Sequence, residues 1–586
     1  MLRCRIDHGA GDPALAVELI DPKGQLEAWS LDAVRGTIAE AEAAARAGDL
    51  VVGFVAYDAA PAFDPAFEIP GHGGSMPLAW FGRFGAAREV PLEEAGGRPS
   101  DATWSLELDQ ADHATGVSAI QAAIREGDTY LVNYTTQLRR SWVDGEDPLD
   151  LYRSLVANYA GGYHAFIETD DWAVACGSPE LFFERRGSLV STRPMKGTAP
   201  RGRWSAEDEE LASSLACSPK EQAENVMVVD LLRNDLGRIA TPGSVEVPSL
   251  FSIERHPALH QLTSSVTAEV DPNLGLAEVF AALFPSASVT GAPKFSTMRL
   301  IADLEPSARG FYCGAVGIIT PDEDAPRARF AVAIRSAVVD KRSGEASYGT
   351  GGGITADSDP AAEWSELLLK ATVLNDAEWQ RAVRDLGLIE TMGWWPAEGV
   401  RNLERHLERL SGSASYLGLS VPSDLEEQLA RAVGQLEVPS KVRLQLDASG
   451  VEIAVSALEP NSGEVLLLAI DTVPVCASDP TLFHKTTDRR RYDERATRHL
   501  GADDVVLVNE AGEVTETTRA NLAVQLEGRW CTPPLEAGLL PGVERARLLA
   551  NGTLRERSIT IEELRAADAV ATLSSLRGWQ HARVAR

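Results

Sequence analysis

The stretch SPKEQAENVMVVDLLRNDLGR (218–238) predicts a long helix with a defined start. Ser218 suits the N-cap, Pro219 the first helical position, and Glu221 follows three residues after the cap. Met227, Val228, Leu231 and Leu232 supply an apolar face, and Glu224 borders it. A carboxylate at such an edge is usually a solvated group, so its meaning depends on what surrounds the helix.

Upstream, STRPMKGTAPRG (191–202) sets Lys196 between a strand-like run and a turn, with Pro194 and Gly197 fixing the backbone around it. Downstream, YGTGGGIT (348–355) reads as a glycine loop whose backbone N–H groups could approach an anion. PAAEWSELLLKA (360–371) should be a helix carrying Glu363, Glu366 and Lys370 on one face. Two carboxylates there, with Glu224 as a remote third, make a hard-cation site such as Mg²⁺ plausible.

Helices are also predicted at 33–48, 114–126, 147–159, 274–284 and 360–375. Strands are predicted at 51–59, 164–176, 313–320, 329–339 and 345–349. Residues 85–101 suit a surface loop. This mixture lacks regular βαβ alternation and points to a large α+β domain. The pattern restarts near 380, which predicts domains over 1–375 and 381–586 joined by a linker at 376–380.

The bulk properties fit a folded soluble protein. The chain has 586 residues, 44% hydrophobic and 24% charged, with formal net charge −31. That charge argues against nucleic acid or an anionic membrane as partner. No apolar run is long enough to span a bilayer, and the N-terminus turns polar too early for a signal peptide. The six cysteines are scattered without CxxC spacing, so a reducing cytoplasm is expected.

Together with GDTYLVNYT (127–135), CGSPELFFE (176–184), SVTGAPK (288–294) and AIRS (333–336), these motifs resemble the chorismate-utilising enzymes. Their fold is a two-sheet α/β sandwich. Pro194-Met195-Lys196-Gly197-Thr198 matches the Pro-x-Lys-Gly-Thr motif of the aminodeoxychorismate synthase subfamily, where related subfamilies carry a small residue in place of the lysine. The resemblance implies covalent catalysis on chorismate. Lys196 attacks C2, Glu180 protonates the departing C4 hydroxyl, and ammonia then enters at C4. It implies Mg²⁺ on Glu224, Glu363 and Glu366. It also implies carboxylate contacts from Arg335, Lys370 and the Gly351, Gly352 and Gly353 backbone, with His260, Thr290 and Thr350 lining the pocket. The metal and these cations would reconcile a dianionic substrate with an acidic chain. No glutamine-hydrolysing motif is found, so a separate glutamine amidotransferase subunit is the expected ammonia source.

In the second half, SDPTLFHKTTDRRRYDERA (478–496) places Lys485 before a basic helix. Alone, it would be one more cation in a basic patch. The segment 505–549 supplies Asn509, Gly512, Glu516, Asn521, Thr532-Pro533-Pro534, Gly538, Leu540-Pro541-Gly542 and Arg545, and ERHLERLSGSASYLG (404–418) precedes it. This resembles the class IV, fold-type-IV pyridoxal-phosphate enzymes of two α/β subdomains, which commonly dimerise. The resemblance implies Lys485 as the cofactor-bonding amine and proton carrier, and Glu516 as the partner of the pyridine nitrogen. It implies a phosphate site from Arg409, the Val543 and Glu544 backbone and Ser575, and a wall residue at Thr391. Fusion to a chorismate-aminating domain favours 4-amino-4-deoxychorismate lyase over the aminotransferases, and hence 4-aminobenzoate for folate synthesis. A specialised pathway with a C-terminal aminotransferase is the alternative.

Overall fold

The computed structural model describes residues 2–9, 15–71, 74–91, 103–143, 145–157, 162–256, 259–322, 325–371, 374, 386–460 and 463–585. Two compact units emerge. The first comprises Met1–Pro200 and Ala212–Arg381, and the second comprises Arg201–Leu211 and Ala382–Arg586. The expected linker at 376–380 lies outside the described residues.

In the first unit, eighteen strands among the described residues form one hydrogen-bonded system. Long helices Leu31–Arg46, Pro219–Gly237 and Leu276–Leu283 contribute to one apolar cluster with strand residues such as Val51, Val55, Phe183 and Phe330. A second cluster gathers Ile6, Phe54, Trp80 and Val316. The opening helix forms over Pro219–Gly237, with the Ser218 side chain accepting from the Glu221 N–H at its start. Its buried stripe runs through Val228, Val229, Leu232 and Leu236, whereas Met227 is 40% exposed. The stripe is thus displaced by about one position from the expected face, because the 3.6-residue period is met by Val229 and Leu236 rather than Met227.

Four other expectations change. The run 164–176 is a hairpin of Tyr163–Glu168 and Trp172–Ser178, and 329–339 is likewise broken into Arg327–Val332 and Ser336–Asp340. Residues 85–89 finish the strand Ala79–Glu89, and 92–102 lie outside the described residues. The glycine-rich stretch is not a loop. It is the strand Glu345–Ile354, in antiparallel register with Leu131–Ser141 from Glu345↔Ser141 to Ile354↔Val132. Glycine is needed there for close approach rather than for a turn. A β-carbon on Gly349 would meet the Tyr312 ring at 2.2 Å, and one on Gly351 the Tyr134 carbonyl oxygen at 2.3 Å.

The second unit holds two sheets. In the first, Leu388–Trp395 lies between Gly399–Val400 and Ser440–Asp447, and Gly450–Ala457 forms the edge. The helices Leu403–Leu417 and Leu425–Val433 contribute Leu410, Ala414 and Leu429 to its core. The second sheet has eight strands and mixes parallel pairs, Leu466–Ile470 with Asp504–Val508 and with Gly578–Val584, with antiparallel ones. Its core holds Leu468, Val506, Leu522 and Val570. No described helix is long and apolar enough to cross a membrane.

Candidate active sites

Each unit contains one cavity that collects chemistry-bearing residues. The first, of about 140 Å³, is lined by Glu180, Lys196, Glu224, Arg335, Thr350, Gly351, Gly353, Glu363, Glu366 and Lys370. Elements far apart in sequence therefore converge: the strand Met195–Pro200, the helices Pro219–Gly237 and Pro360–Ala371, and the glycine strand. His260 and Thr290 are fully buried and do not line this cavity. His260 sits on the strand Leu259–Glu269, and the Thr290 hydroxyl donates to the Ser286 carbonyl at 2.9 Å. Gly352 is not itself in the lining, but a β-carbon there would lie 3.2 Å from Glu363 Oε2 and 3.8 Å from Lys370 Nζ, which are.

Lys196 and Glu180 form the core of this site. The Lys196 amine would stand 2.8 Å from a β-carbon on Gly353, so it rests against the glycine strand. Glu180 is 2% exposed, and burial raises its pKa to about 7, against the opposing pulls of Ser288 and Lys196. Ser288 Oγ donates to Glu180 Oε1 at 2.5 Å. A carboxyl so poised can be protonated near neutrality and can deliver that proton.

The carboxylates of the two helices share the cavity with a fourth, Glu221. Its position three residues before Glu224 repeats the spacing of Glu363 and Glu366. The capping pattern masked this role in the sequence. Burial raises the pKa of Glu224, Glu221 and Glu363, with neighbouring carboxylates adding to the effect at each. Glu366 is lowered by Lys370, whose amine lies 2.7 Å away and also donates to the Gly351 carbonyl at 2.8 Å. Glu363 accepts from Ser358 Oγ at 2.8 Å. Among the described residues no three acidic, histidine or cysteine side chains converge on one point at metal-ligand spacing. The donor set, all oxygen and mutually repelling, still has the chemistry a hard divalent cation takes.

Arg335 has φ 51°, in the left-handed region, and its guanidinium donates to the Lys370 carbonyl at 3.1 Å. A non-glycine residue held there at a cavity wall is backbone strain retained by its surroundings.

The second cavity, of about 670 Å³, is lined by Thr391, Arg409, Lys485, Glu516, Val543, Glu544 and Ser575. Burial, with nearby Arg409 adding to it, lowers the Lys485 pKa to about 8. Glu516 is raised to about 7 by burial. Its Oε1 accepts from the Tyr492 hydroxyl at 3.0 Å, and its Oε2 from Asn521 Nδ2 and the Leu540 N–H, both at 3.3 Å. Gly542 caps the helix Val543–Ala550, so the first N–H groups of that helix open at the cavity.

Arg409 is fixed by a carboxylate that the sequence did not single out. Its Nε and Nη2 donate to Glu390 Oε1 and Oε2 at 2.9 and 2.6 Å. Glu390 also bonds His406 Nδ1 at 2.6 Å, and His406 Nε2 meets Ser575 Oγ at 2.8 Å. Burial would raise the Glu390 pKa, but Arg409 and His406 prevail and bring it to about 2. Arg409 and Ser575 are thereby held through one buried anion. The residues fit pyridoxal phosphate: an amine of lowered pKa, a buried acid, and a guanidinium, hydroxyl and helix N-terminus for a phosphate.

Comparison with known proteins follows the same division. The family model for chorismate binding enzymes matches residues 8–376, and that for class IV amino-transferases matches residues 387–584. Aminodeoxychorismate synthase component 1 of Klebsiella aerogenes is 38% identical over 267 residues, covering 46% of this chain and 58% of that protein. Its Bacillus subtilis (strain 168) namesake is 35% identical over 291 residues, covering 50% and 59%. The chain thus spans under two thirds of the length of these relatives. Anthranilate synthase component I from Streptococcus pneumoniae TIGR4 shares the fold at 23% identity and TM-score 0.52, covering 64% of this chain and 92% of that one.

Proposed function

Because the chain belongs to the chorismate binding enzyme family over more than half its length, we propose that it makes 4-aminobenzoate from chorismate in two steps. The observation that carries the first step is Lys196 in one cavity with the buried acid Glu180. The Lys196 amine, uncharged at attack, forms a C–N bond at C2 as the C4–O bond breaks. Glu180 gives its proton to the departing oxygen, which leaves as water. Ammonia then bonds C4 as the C2–N bond to Lys196 breaks, giving 4-amino-4-deoxychorismate. Arg335 and Lys370 meet the substrate carboxylates. Glu221, Glu224, Glu363 and Glu366 would hold Mg²⁺, which supplies positive charge for a carboxylate. A glutamine amidotransferase subunit provides the ammonia, a reading supported by the component 1 names of the relatives.

The second unit then removes pyruvate. Bound, the cofactor supplies an electron sink for the carbon bearing the amine. Lys485 carries the proton, taking it from C4 and giving it to the methylene of the departing enolpyruvyl group as the C3–O bond breaks. The ring aromatises. Glu516 would partner the pyridine nitrogen, and Arg409, Ser575 and the N–H groups of Val543 and Glu544 would take the phosphate. The product serves folate synthesis in the cytoplasm. The test is product identification after supplying chorismate, ammonium, Mg²⁺ and pyridoxal phosphate, with Lys196→Ala and Lys485→Ala as controls. Anthranilate as product, or pyruvate release without Lys485, would refute the assignment.

A further inference from the structure

The second cavity carries more positive charge than a cofactor phosphate uses. Lys441 and Arg443 lie two apart on the strand Ser440–Asp447, so both side chains leave the same face. The alternate residues Val442, Leu444 and Leu446 are fully buried on the opposite face. Arg443 pairs directly across from Thr391, and Lys441 from Gly393, which places both cations beside the Thr391 wall. Arg519 joins them in the lining from the turn that follows Glu516.

These three side chains are not neutralised. Among the described residues none of them makes a side-chain hydrogen bond or ion pair, whereas some arginines of this unit are paired, as Arg409 with Glu390, Arg498 with Asp471 and Arg545 with Glu556. The chain has 86 acidic and 55 basic residues, so three unpaired cations around one cavity run against its overall charge. The acids lining the same cavity are already engaged. Asp504 accepts from the Thr517 and Thr518 hydroxyls at 2.7 and 2.5 Å, and Asp503 accepts from the Leu467 N–H at 2.7 Å.

We propose that Lys441, Arg443 and Arg519 form a dicarboxylate-recognition rim, by which the second cavity selects cyclic amines with two carboxylates over monocarboxylate amino acids. An amino acid brings a single carboxylate for three cations. The intermediate of the proposed pathway brings a ring carboxylate and an enolpyruvyl carboxylate. The inference rests on that reading of the second unit and names its basis of selection. It also separates the site from an aminotransferase acting on simple amino acids, whose single carboxylate leaves part of the rim unused.

The test uses the full chain loaded with pyridoxal phosphate and two probes on one arylamine core. One is 4-aminoisophthalate, with carboxylates at C1 and C3 and the amine at C4. The other is 4-aminobenzoate, with one carboxylate. Dissociation constants come from quenching of the bound cofactor's fluorescence. The wild type should prefer the dicarboxylate by about tenfold or more, near 1.4 kcal/mol. Lys441→Gln/Arg443→Gln and Arg519→Gln should lose that preference, with cofactor content unchanged. No preference in the wild type, or full preference in the variants, overturns the proposal. Pyruvate release from 4-amino-4-deoxychorismate is measured in parallel. If it occurs without dicarboxylate preference, only the rim fails. If the preference is present and no pyruvate forms, the lyase reading fails instead.

Discussion

The Lys196 amine occupies space that a β-carbon on Gly353 would enter, with 2.8 Å between them. The glycine strand is thus the floor on which the Lys196 amine rests. Gly353→Ala should displace the amine and cut chorismate amination about a hundredfold, since small misplacements of a reacting group have effects of that size. Pyruvate release by the second unit should be unchanged. Both are read from single-substrate assays on the same preparation.

Glu180 must be protonated to act as the acid, and burial brings its pKa to about 7. The protonated fraction of Glu180 should therefore fall about tenfold per unit above that pH, and its general-acid contribution to amination with it. The Ser288 hydrogen bond favours the ionised form. Ser288→Ala should raise the Glu180 pKa and move the alkaline limb to higher pH. A profile that shifts the other way, or not at all, removes Ser288 as the group that tunes this acid.

Glu390 is the buried anion that holds Arg409 through two hydrogen bonds. Glu390→Gln keeps the shape and removes the charge. Pyridoxal phosphate affinity, measured by equilibrium dialysis, should fall about tenfold, the scale of one lost charge-assisted contact. Amination by the first unit should not change.

The two steps differ in what they need. Chelation of Mg²⁺, or Glu221→Gln combined with Glu224→Gln, should abolish amination and leave pyruvate release from supplied 4-amino-4-deoxychorismate intact. Borohydride reduction followed by peptide mapping should place the pyridoxyl group on Lys485.

Much of both cavities was legible in the sequence because each key residue sits in a contiguous motif: Lys196 before Gly-Thr, Glu363 and Glu366 on one helical face, Glu516 before Asn521. Glu221 was hidden because the same residue fits a capping pattern, and only the converging helix Pro360–Ala371 shows its second role. The glycine stretch reads as a loop in sequence because local composition cannot report its pairing with Leu131–Ser141. Glu390, His406 and Ser575 form one chain of hydrogen bonds. Nothing local links them, since Ser575 lies at the far end of the unit's sequence. The rim of Lys441, Arg443 and Arg519 depends likewise on strand register and on the absence of partners.

The most direct measurement follows isotope-labelled chorismate through the full chain supplied with ammonium, Mg²⁺ and pyridoxal phosphate, with products identified by mass. Labelled 4-aminobenzoate and pyruvate should appear in equal amounts, 4-amino-4-deoxychorismate should accumulate in Lys485→Ala, and neither amine should form in Lys196→Ala. Anthranilate, isochorismate or unchanged chorismate from the wild-type chain would contradict the account.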